Sequence, residues 1–397
     1  MSSLDDTELK EFYISLSDIL KDVILNINLK SYMDYSFDLT IKNEIYTNFE
    51  EIMDYDVYSK YYDEKIEEIY MKEKLKKRSY IYFDSDKECS ITTIQIQIDY
   101  LKNIPQPEQK TEEWYKFRKN HITGSNAWKI FGTESSRRAL IYEKLQPDEL
   151  CVLKSSLNES PLNWGHKYEP LSILFYEYFN DVLVDEFGCI PHSTIPYLAA
   201  SPDGIVVSKN KLGRMVEIKN VVSREITKIP KMEYYIQMQL QMEVCNLDHC
   251  DFVETKFNEY DSFEQFKNDK YKIEKGMIIV LIKDNSSFVY EYSNLFQNSS
   301  QELDIFTENT YSKYGLHNDC LENDNIKWFK NIYWKLDMFS CVYVPRNKPL
   351  FHNMEQSLND FWTIIEEERK EENSYLKYKP KSKGEKKTIN NIIDLNS

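Results

Sequence analysis

The chain has 397 residues, of which 41% are hydrophobic and 14% aromatic, and its formal net charge is −16 at pH 7. This composition supplies enough apolar side chains for a sizeable core and excludes global disorder. No run of about 18 uncharged apolar residues occurs, which excludes a membrane-spanning helix. Residues 1–20 are acidic and lack a basic segment, so we expect no secretory signal.

The acidic residues are concentrated at the N-terminus. Residues 1–100 contain 12 Lys and Arg against 22 Asp and Glu, a net charge of −10, and the other 297 residues carry −6. The overall charge argues against broad, non-specific coating of DNA. It leaves room for a local basic cleft, because a ligand responds to the local field.

The seven cysteines show neither a CxxC pair nor the spacing of a small disulfide-linked protein. We therefore expect free thiols in a reducing, intracellular compartment. Two short groups, Cys189-x2-His192 and Cys245-x3-His249-Cys250, have ligand-type residues. Their spacing fits no standard zinc finger, so we expect no structural metal there.

The N-terminal part is predicted to be mainly helical. Residues 6–30 and 44–78 show helical spacing of apolar side chains, and residues 90–98 (SITTIQIQI) alternate like a strand. The two prolines of residues 103–109 indicate a linker. We therefore place an acidic, mainly helical extension at residues 1–105.

The remaining elements mix helices and strands. Helices are predicted at 111–131 (two short ones, broken at Thr123-Gly124, with Ser125 as N-cap of the second), 162–180 and 231–246. Strands are predicted within 196–221 and at 250–257, 276–283 and 287–292. Residues 327–369 are predicted to be helical at both ends, with a strand at 340–344. This order predicts an α/β core at residues 106–295, a helical segment packed on it at 296–370, and a basic, disordered tail at 371–397.

The segment 201–219 contains the residues of greatest chemical interest. Strands 204–208 and 214–219 form a hairpin if the turn is centred near residue 210. That register places Asp203 opposite Glu217, about 5 Å away, and puts Glu217 and Lys219 on one face. Two carboxylates and one ammonium then converge at the end of a strand.

Two adjacent carboxylates repel each other, and a divalent cation relieves the repulsion. Oxygen ligands favour Mg²⁺ or Mn²⁺, and the backbone carbonyl of Ile218 could complete the set. Lys219 would then orient and help to deprotonate a water molecule for metal-assisted phosphodiester hydrolysis. The alternative is a salt-bridge cluster on a solvated face. The apolar residues around Asp203 and Glu217 argue against that alternative.

Five motifs occur in an order that resembles the lambda-exonuclease or YqaJ-type viral recombinase family of PD-(D/E)xK nucleases. They lie between about residues 110 and 260. The matching residues are Trp114, Arg118 and Ile122–Ser125; Trp164, Gly165 and Glu169; Ser201–Gly204; Glu217–Lys219; and Tyr234, Gln237 and Gln239.

The resemblance implies roles for individual residues. Asp203, Glu217 and Glu169 would be metal ligands for two Mg²⁺ ions, with Lys219 as the base and Gln237 as the active-site glutamine. Arg118 and Ser125 would bind a terminal 5′-phosphate, which the N-terminus of a helix opening at Ser125 would favour. Three alternatives stay open: Glu169 as a surface residue, the stripe Tyr234–Gln237–Gln241 as a surface feature, and Ser125 with Arg118 as a simple cap.

The resemblance also implies an activity. The expectation is a Mg²⁺-dependent 5′→3′ exonuclease that acts on double-stranded DNA ends and leaves 3′ overhangs for recombination. A single-strand annealing protein, a trimeric assembly and a large DNA virus as source are implied in the same way, and with that source a location in the host cytoplasm, a viral factory or the virion. The competing hypotheses are an endonuclease of the same superfamily, a non-catalytic module that binds DNA ends or proteins, and a structural protein with coincidental motifs.

Overall fold

The computed structural model describes residues 4–26, 37–72, 91–107, 111–147, 161–269, 274–284, 287–317, 320–323 and 325–380. The helices are α1 (Asp6–Asn26), α2 (Phe37–Tyr46), α3 (Tyr55–Lys72), α4 (Ile91–Asn103), α5 (Glu112–Lys119), α6 (Gly124–Ala127), α7 (Glu134–Leu145), α8 (Pro161–Asn180), α9 (Met232–Cys245), α10 (Phe263–Asn268), α11 (Ser300–Lys313) and α12 (Lys348–Glu368). The strands are β1 (Ile122–Thr123), β2 (Val184–Asp185), β3 (Ile190–Pro191), β4 (Leu198–Ala200), β5 (Gly204–Val206), β6 (Met215–Asn220), β7 (His249–Glu259), β8 (Lys275–Lys283), β9 (Ser287–Tyr292) and β10 (Ile326–Pro345). Two short 3₁₀ segments cover Trp128–Ile130 and Ser374–Tyr378.

The helical predictions at 6–30 and 44–78 are confirmed by α1 and α3 within the described residues, and α2 is a helix that the sequence analysis did not predict. Their contacts are largely aromatic: the rings of Phe12 and Phe49 lie 4.9 Å apart, and Tyr58 is fully buried beside both. Large planar rings bury much apolar area with little loss of side-chain entropy, which helps a small helical unit to pack.

The predicted strand at residues 90–98 is wrong, because these residues begin helix α4. Ile94, Ile98 and Leu101 pack into the core at helical spacing, whereas Ile96 is 64% exposed. The side chain of Gln97 donates to the carbonyl of Cys245 at 2.8 Å, which attaches α4 to the end of α9. The alternation of Ile with Thr and Gln imitates a strand locally, and tertiary packing selects the helix.

The core contains a mixed sheet of seven strands in the order β2-β5-β6-β7-β10-β8-β9. Strands β6 and β7 are parallel and are joined by the crossover helix α9, and the other pairs are antiparallel. A second sheet has the order β1-β4-β3. The predicted α/β fold is confirmed, as are helices α8 and α9 and strands β7, β8 and β9.

Strand β10 corrects the prediction for the C-terminal segment. Residues 326–345 form one long strand between β7 and β8, where a helix was expected to begin. Ile332, Trp334 and Leu336 are buried at a period of two, and hydrogen bonds from both neighbours satisfy the backbone. The central sheet therefore extends beyond residue 295, and the segment 296–370 is helical only in part.

Helices α8 and α9 pack on opposite faces of the sheet. Val216 and Ile218 of β6 lie in the cluster that contains Tyr176 of α8. Met215 packs in the cluster of α9, and the alternating residue Glu217 contacts Gln241 of α9. Strand alternation thus assigns the carboxylate of Glu217 to the α9 face.

The C-terminal residues up to 380 are folded against the core. Arg138 of α7 donates to the carbonyl of Lys377, and the ammonium of Lys377 pairs with Glu368 at 3.0 Å and Glu371 at 2.5 Å. The prediction of a disordered tail is therefore wrong for residues 371–380, and its remainder, 381–397, lies outside the described residues. In the described part of the chain, no helix has the length and apolarity needed to cross a membrane.

Candidate active site

Asp203 and Glu217 meet at the end of the β5–β6 hairpin. Gly204 pairs with Val216 and Ile205 with Met215, which is the register predicted from the sequence. Asp203 Oδ2 accepts a hydrogen bond from the backbone N–H of Ile218 at 2.7 Å. This bond holds the carboxylate of Asp203 next to the backbone of Ile218, the residue that follows Glu217.

Both oxygens of Glu217 have partners, although its side chain is fully buried. Oε1 contacts the ammonium of Lys219, and Oε2 accepts a hydrogen bond from Gln241 Nε2 at 2.8 Å. A buried carboxylate is costly unless it is paired and hydrogen-bonded, so these contacts are what allow Glu217 to lie in the core.

The electrostatics of the site are dominated by burial and by like charges. Burial and the nearby carboxylates of Glu217 and Glu169 raise the pKa of Asp203 well above its ordinary value. Burial lowers the pKa of Lys219, but the attraction of Glu217 and Asp203 outweighs this and leaves that pKa raised. Lys219 is therefore an ammonium at neutral pH, suited to donating hydrogen bonds rather than to removing a proton.

Tyr234 and Arg224 extend the site beyond Lys219. The Lys219 ammonium lies 5.1 Å from the centroid of the Tyr234 ring, and the Arg224 guanidinium lies 5.8 Å from it. Arg224 also pairs with the buried carboxylate of Glu254. Two cations thus lie close to one aromatic ring in the lining of the site.

Glu169 reaches the site because helix α8 is attached to the end of β6. Ser172 Oγ donates to Asn220 Oδ1 at 2.7 Å, and Asn220 Nδ2 donates to the carbonyl of Gly165 at 3.0 Å. Pro170, which follows Glu169, lies inside α8, because the helix spans Pro161–Asn180.

These residues enclose a cavity of about 530 Å³, which we call the carboxylate cavity. Its lining includes Glu169, Asp203, Ile218, Lys219, Arg224 and Tyr234. A volume in the range of about 300–1,000 Å³ is typical of small-molecule sites, and a nucleotide is of this size. The predicted grouping of Glu169, Asp203 and Lys219 around one space is therefore present.

The donors suit a hard divalent cation. Asp203 and Glu217 supply carboxylate oxygens next to the backbone of Ile218, and Gln241 Oε1 is buried without a hydrogen-bond partner among the described residues. Oxygen donors of this kind favour Mg²⁺. Within the described ranges, no group of three or more His, Cys, Asp or Glu is placed to hold a metal ion. Glu169 lines the same cavity as Asp203.

Arg118 and Ser125 come together as predicted. Arg118 Nη2 donates to Ser125 Oγ at 2.8 Å, and its guanidinium lies 4.3 Å from the centroid of the Trp114 ring. The helix that follows differs from the prediction: Thr123 is the N-cap, and its N–H bonds Asn126 Oδ1 at 2.9 Å. Helix α6 has only four residues, so its dipole adds little to anion binding.

A buried lysine contacts the backbone of Arg118 in this pair. Lys144 is 1% exposed, and its ammonium donates to the carbonyl of Arg118 at 2.7 Å. Burial lowers the pKa of Lys144 to about 8. Burial also lowers the pKa of Arg118. An anion bound here would meet a guanidinium that has already lost much of its hydration, which strengthens a charge-assisted hydrogen bond.

Helix α9 connects the two groups of residues. A Cβ at Gly124 would lie 3.3 Å from the carbonyl oxygen of Gln237 and 3.4 Å from Gln241 Cγ, so α6 sits directly on α9. Gln237, the predicted active-site glutamine, borders α6, whereas the glutamine that bonds Glu217 is Gln241. The sequence already indicated Gln241, because this residue lies one helical turn after Gln237 in the polar stripe Tyr234–Gln237–Gln241.

Five of the seven cysteines lie within described residues whose thiols are free: Cys189, Cys245, Cys250, Cys320 and Cys341. This agrees with the predicted free thiols for those five. Cys189 is buried near Arg118 and Lys144, and burial raises its pKa. Burial raises the pKa of the Cys245 and Cys250 thiols as well, so these three buried thiols are neutral and poorly reactive at neutral pH.

The sequence of this segment matches a known domain. Residues 113–248 fit the YqaJ-like viral recombinase domain, a segment that includes every predicted site residue. This confirms the resemblance found from the ordered motifs, since this part of the chain is similar to the YqaJ-like viral recombinase domain.

The wider chain is similar to an uncharacterized mimivirus protein, R354 of Acanthamoeba polyphaga mimivirus. The two are 30% identical over 314 residues, which cover 70% of this chain and 56% of that protein. The chain thus spans little more than half the length of this relative. The similarity to a mimivirus protein supports the predicted viral association.

Solved structures with a related arrangement include two exonucleases. An alkaline exonuclease from Laribacter hongkongensis is 22% identical with a TM-score of 0.39, and the match covers 67% of this chain and 96% of that one. A phage-related exonuclease from Haemophilus somnus is 11% identical with a TM-score of 0.32, covering 62% and 94%.

Proposed function

We propose that this protein is a Mg²⁺-dependent exonuclease that degrades one strand of double-stranded DNA from its 5′ end and leaves a 3′ single-stranded overhang. The observation that supports this best is the arrangement around α9. Asp203 and Lys219 line the carboxylate cavity, and Lys219 contacts the buried Glu217. Gln241 connects Glu217 to helix α9, on which α6 sits next to the Arg118–Ser125 pair.

Different side chains of the protein would have different roles in phosphodiester hydrolysis. Asp203 and Glu217, with the carbonyl of Ile218, would hold Mg²⁺, and Mn²⁺ would substitute because it accepts the same oxygen ligands. Glu169 lines the same cavity as Asp203 and would serve a second ion. When bound, the metal supplies neutralisation of the phosphoryl charge and activation of water.

Lys219 would act as a hydrogen-bond donor. Its raised pKa keeps the ammonium charged, so it would orient the attacking water and stabilise the negative charge that develops on the phosphoryl oxygens. The sequence-based hypothesis gave Lys219 the role of a base. The contact with Glu217 and the charge of this site favour positioning and electrostatic stabilisation instead.

The Arg118–Ser125 pair would recognise the end of the strand. A guanidinium with a hydroxyl group at 2.8 Å offers several donors to one phosphate, and Arg is well matched to such a group. A terminal phosphate anchored there would place the next phosphodiester towards α9 and the carboxylates. Cleavage would then proceed from the 5′ end, which is the basis for the proposed 5′→3′ direction.

The partners follow from the product. A 3′ overhang is the substrate of strand annealing, so we include a single-strand annealing protein as partner in this proposal. A ring-shaped trimer would keep a duplex in place during successive cleavages, and sedimentation of the full chain tests it.

The test uses linear duplex DNA with a labelled 5′-phosphate end, a closed-circular duplex of the same sequence, and Mg²⁺. We expect mononucleotide release from the linear duplex alone, no release in EDTA, and activity again with Mn²⁺. Cleavage of the circle would indicate an endonuclease. No metal-dependent cleavage of either substrate would leave a non-catalytic module that binds DNA ends.

A further inference from the structure

A second pocket lies beside the carboxylate cavity, on the opposite face of the sheet from α9. It has a volume of about 210 Å³ and lies between helix α8 and strands β8, β9 and β10. Val222, which is 48% exposed, lines both spaces, and the consecutive residues Trp164 and Gly165 each line one of them. A chain leaving the cavity along this edge would pass directly over the pocket.

The walls of this pocket are aromatic. The rings of Phe288 and Tyr290 lie 6.1 Å apart, those of Phe288 and Phe329 lie 5.5 Å apart, and Trp164 lines the same pocket. Phe329 is 44% exposed, so its ring is accessible to a ligand at the edge of this group. We call this space the aromatic pocket.

A β-bulge directs Phe329 to this position. Trp328 of β10 pairs with Leu281, and the next pair is Lys330 with Val280, so Phe329 is an extra residue in the strand. Consecutive residues of a regular strand point to opposite faces, yet Phe329 and Lys330 both line the pocket. Bulges are enriched next to active sites, where they redirect side chains in this way.

The polar groups of the pocket are few. The indole N–H of Trp164 is buried and has no hydrogen-bond partner among the described residues. Lys167 pairs with Glu259 at 2.5 Å, and its ammonium lies 4.6 Å from the Trp164 ring, so the carboxylate in the wall is neutralised. Several aromatic rings together with lysines at the wall are the features that bind a flat heteroaromatic ring.

We propose that the aromatic pocket binds an unpaired nucleobase of the DNA next to the strand being cleaved. This inference rests on the proposed nuclease function and adds to it, because it states where the separated DNA is held. A nucleobase suits the pocket better than a peptide segment, since the space holds little more than one ring system and adjoins the nucleotide-sized carboxylate cavity. Stacking on aromatic rings tolerates any base, as an exonuclease without sequence preference requires.

The experiment measures binding of the full-length protein to duplex DNA by fluorescence anisotropy in EDTA, where no cleavage occurs. Two duplexes are compared, and each carries three unpaired nucleotides on one strand at its end. In the first duplex these nucleotides have bases, and in the second they are abasic. We expect the wild type to bind the base-bearing end about tenfold more tightly than the abasic end, the scale of a single base–aromatic stack. The Phe329→Ala variant should bind both ends equally.

The control is Tyr100→Ala, which removes another half-exposed ring, on α4 and outside the aromatic pocket. This variant should keep the wild-type preference for bases. Equal binding of both ends by the wild type, or an unchanged preference in Phe329→Ala, would overturn the inference. A failure of the nuclease proposal is seen separately, as no Mg²⁺-dependent release of nucleotides by the wild type.

Discussion

Gln241 donates a hydrogen bond from Nε2 to Glu217 Oε2 at 2.8 Å and, from the same nitrogen, to the carbonyl of Ser201 at 3.1 Å. This one side chain fixes the orientation of the buried carboxylate and connects β6 to the segment that precedes Asp203. The two carboxylates of the hairpin are thus held relative to each other through helix α9.

We expect Gln241→Ala to lower kcat by about tenfold and to lower Tm as well, because the buried side chain bonds both Glu217 and Ser201. The physical reason for the loss of kcat is that this hydrogen bond orients the carboxylate of Glu217, and a hydrogen bond to a charged group contributes about 1.5–3 kcal/mol. Gln239→Ala is the matched control, because Gln239 lies on the same helix but bonds the carbonyl of Pro345 and the N–H of Asn347. That change should lower Tm and leave kcat near the wild-type value. Steady-state kinetics and thermal unfolding of both variants distinguish the two roles.

Replacement of Lys219 tests the contribution of its ion pair with the buried Glu217. We expect Lys219→Met to lower kcat by about 100-fold or more, since it removes an electrostatic donor at the site. It should also destabilise the fold by about 3–5 kcal/mol, because Glu217 loses its cationic partner in the core. Adding Glu217→Gln to Lys219→Met should recover much of the stability and none of the activity. Unfolding in denaturant measures the loss of stability, and recovery of activity in the double variant would contradict the proposed role of Lys219.

Arg118 and Ser125 are tested by the chemistry of the DNA end. We expect the wild type to degrade a 5′-phosphorylated duplex about 10- to 100-fold faster than a 5′-hydroxyl duplex, the scale of a hydrogen bond to a charged group. Arg118→Ala should remove this preference, and Ser125→Ala should reduce it. Arg138→Ala serves as control, because this arginine contacts Lys377 instead. A phosphate preference that survives in Arg118→Ala would assign the pair to a structural role.

Asp203 has a pKa raised in the folded protein above its ordinary value of 3.8, chiefly by burial. The folded state therefore binds this proton more tightly than the unfolded state, so the contribution of Asp203 to stability falls as pH rises from about 4 through the folded pKa. Thermal unfolding in EDTA from pH 5 to 8 should show a smaller loss of Tm for Asp203→Asn than for the wild type. This variant should be inactive at every pH, and parallel Tm curves would contradict the stated cause.

Addition of Mg²⁺ tests whether the site that contains Asp203 binds a metal ion. Mg²⁺ binds only the folded protein in our proposal, so it should raise the Tm of the wild type at pH 8 in a concentration-dependent way. At a concentration 100 times its Kd the gain is about 2.7 kcal/mol. Asp203→Asn should lose most of the shift. Equal shifts in the two proteins would place metal binding elsewhere.

The sequence by itself determined the hairpin register, the order of the motifs and the identity of the paired carboxylates. These are local features: a turn near residue 210 dictates which residues face each other, and strand alternation puts Glu217 and Lys219 on one face. The helical character of α8 and α9 was equally readable from their apolar spacing.

Only the tertiary structure decided the features that depend on distant partners. Residues 90–98 became helix because the core offers a surface for Ile94, Ile98 and Leu101, and residues 326–345 became a central strand because β7 and β8 supply hydrogen bonds on both sides. Gln241 rather than Gln237 contacts Glu217 because α9 packs with that turn above the hairpin. Each outcome depends on which surfaces are buried together, a property of the folded chain that local spacing does not contain.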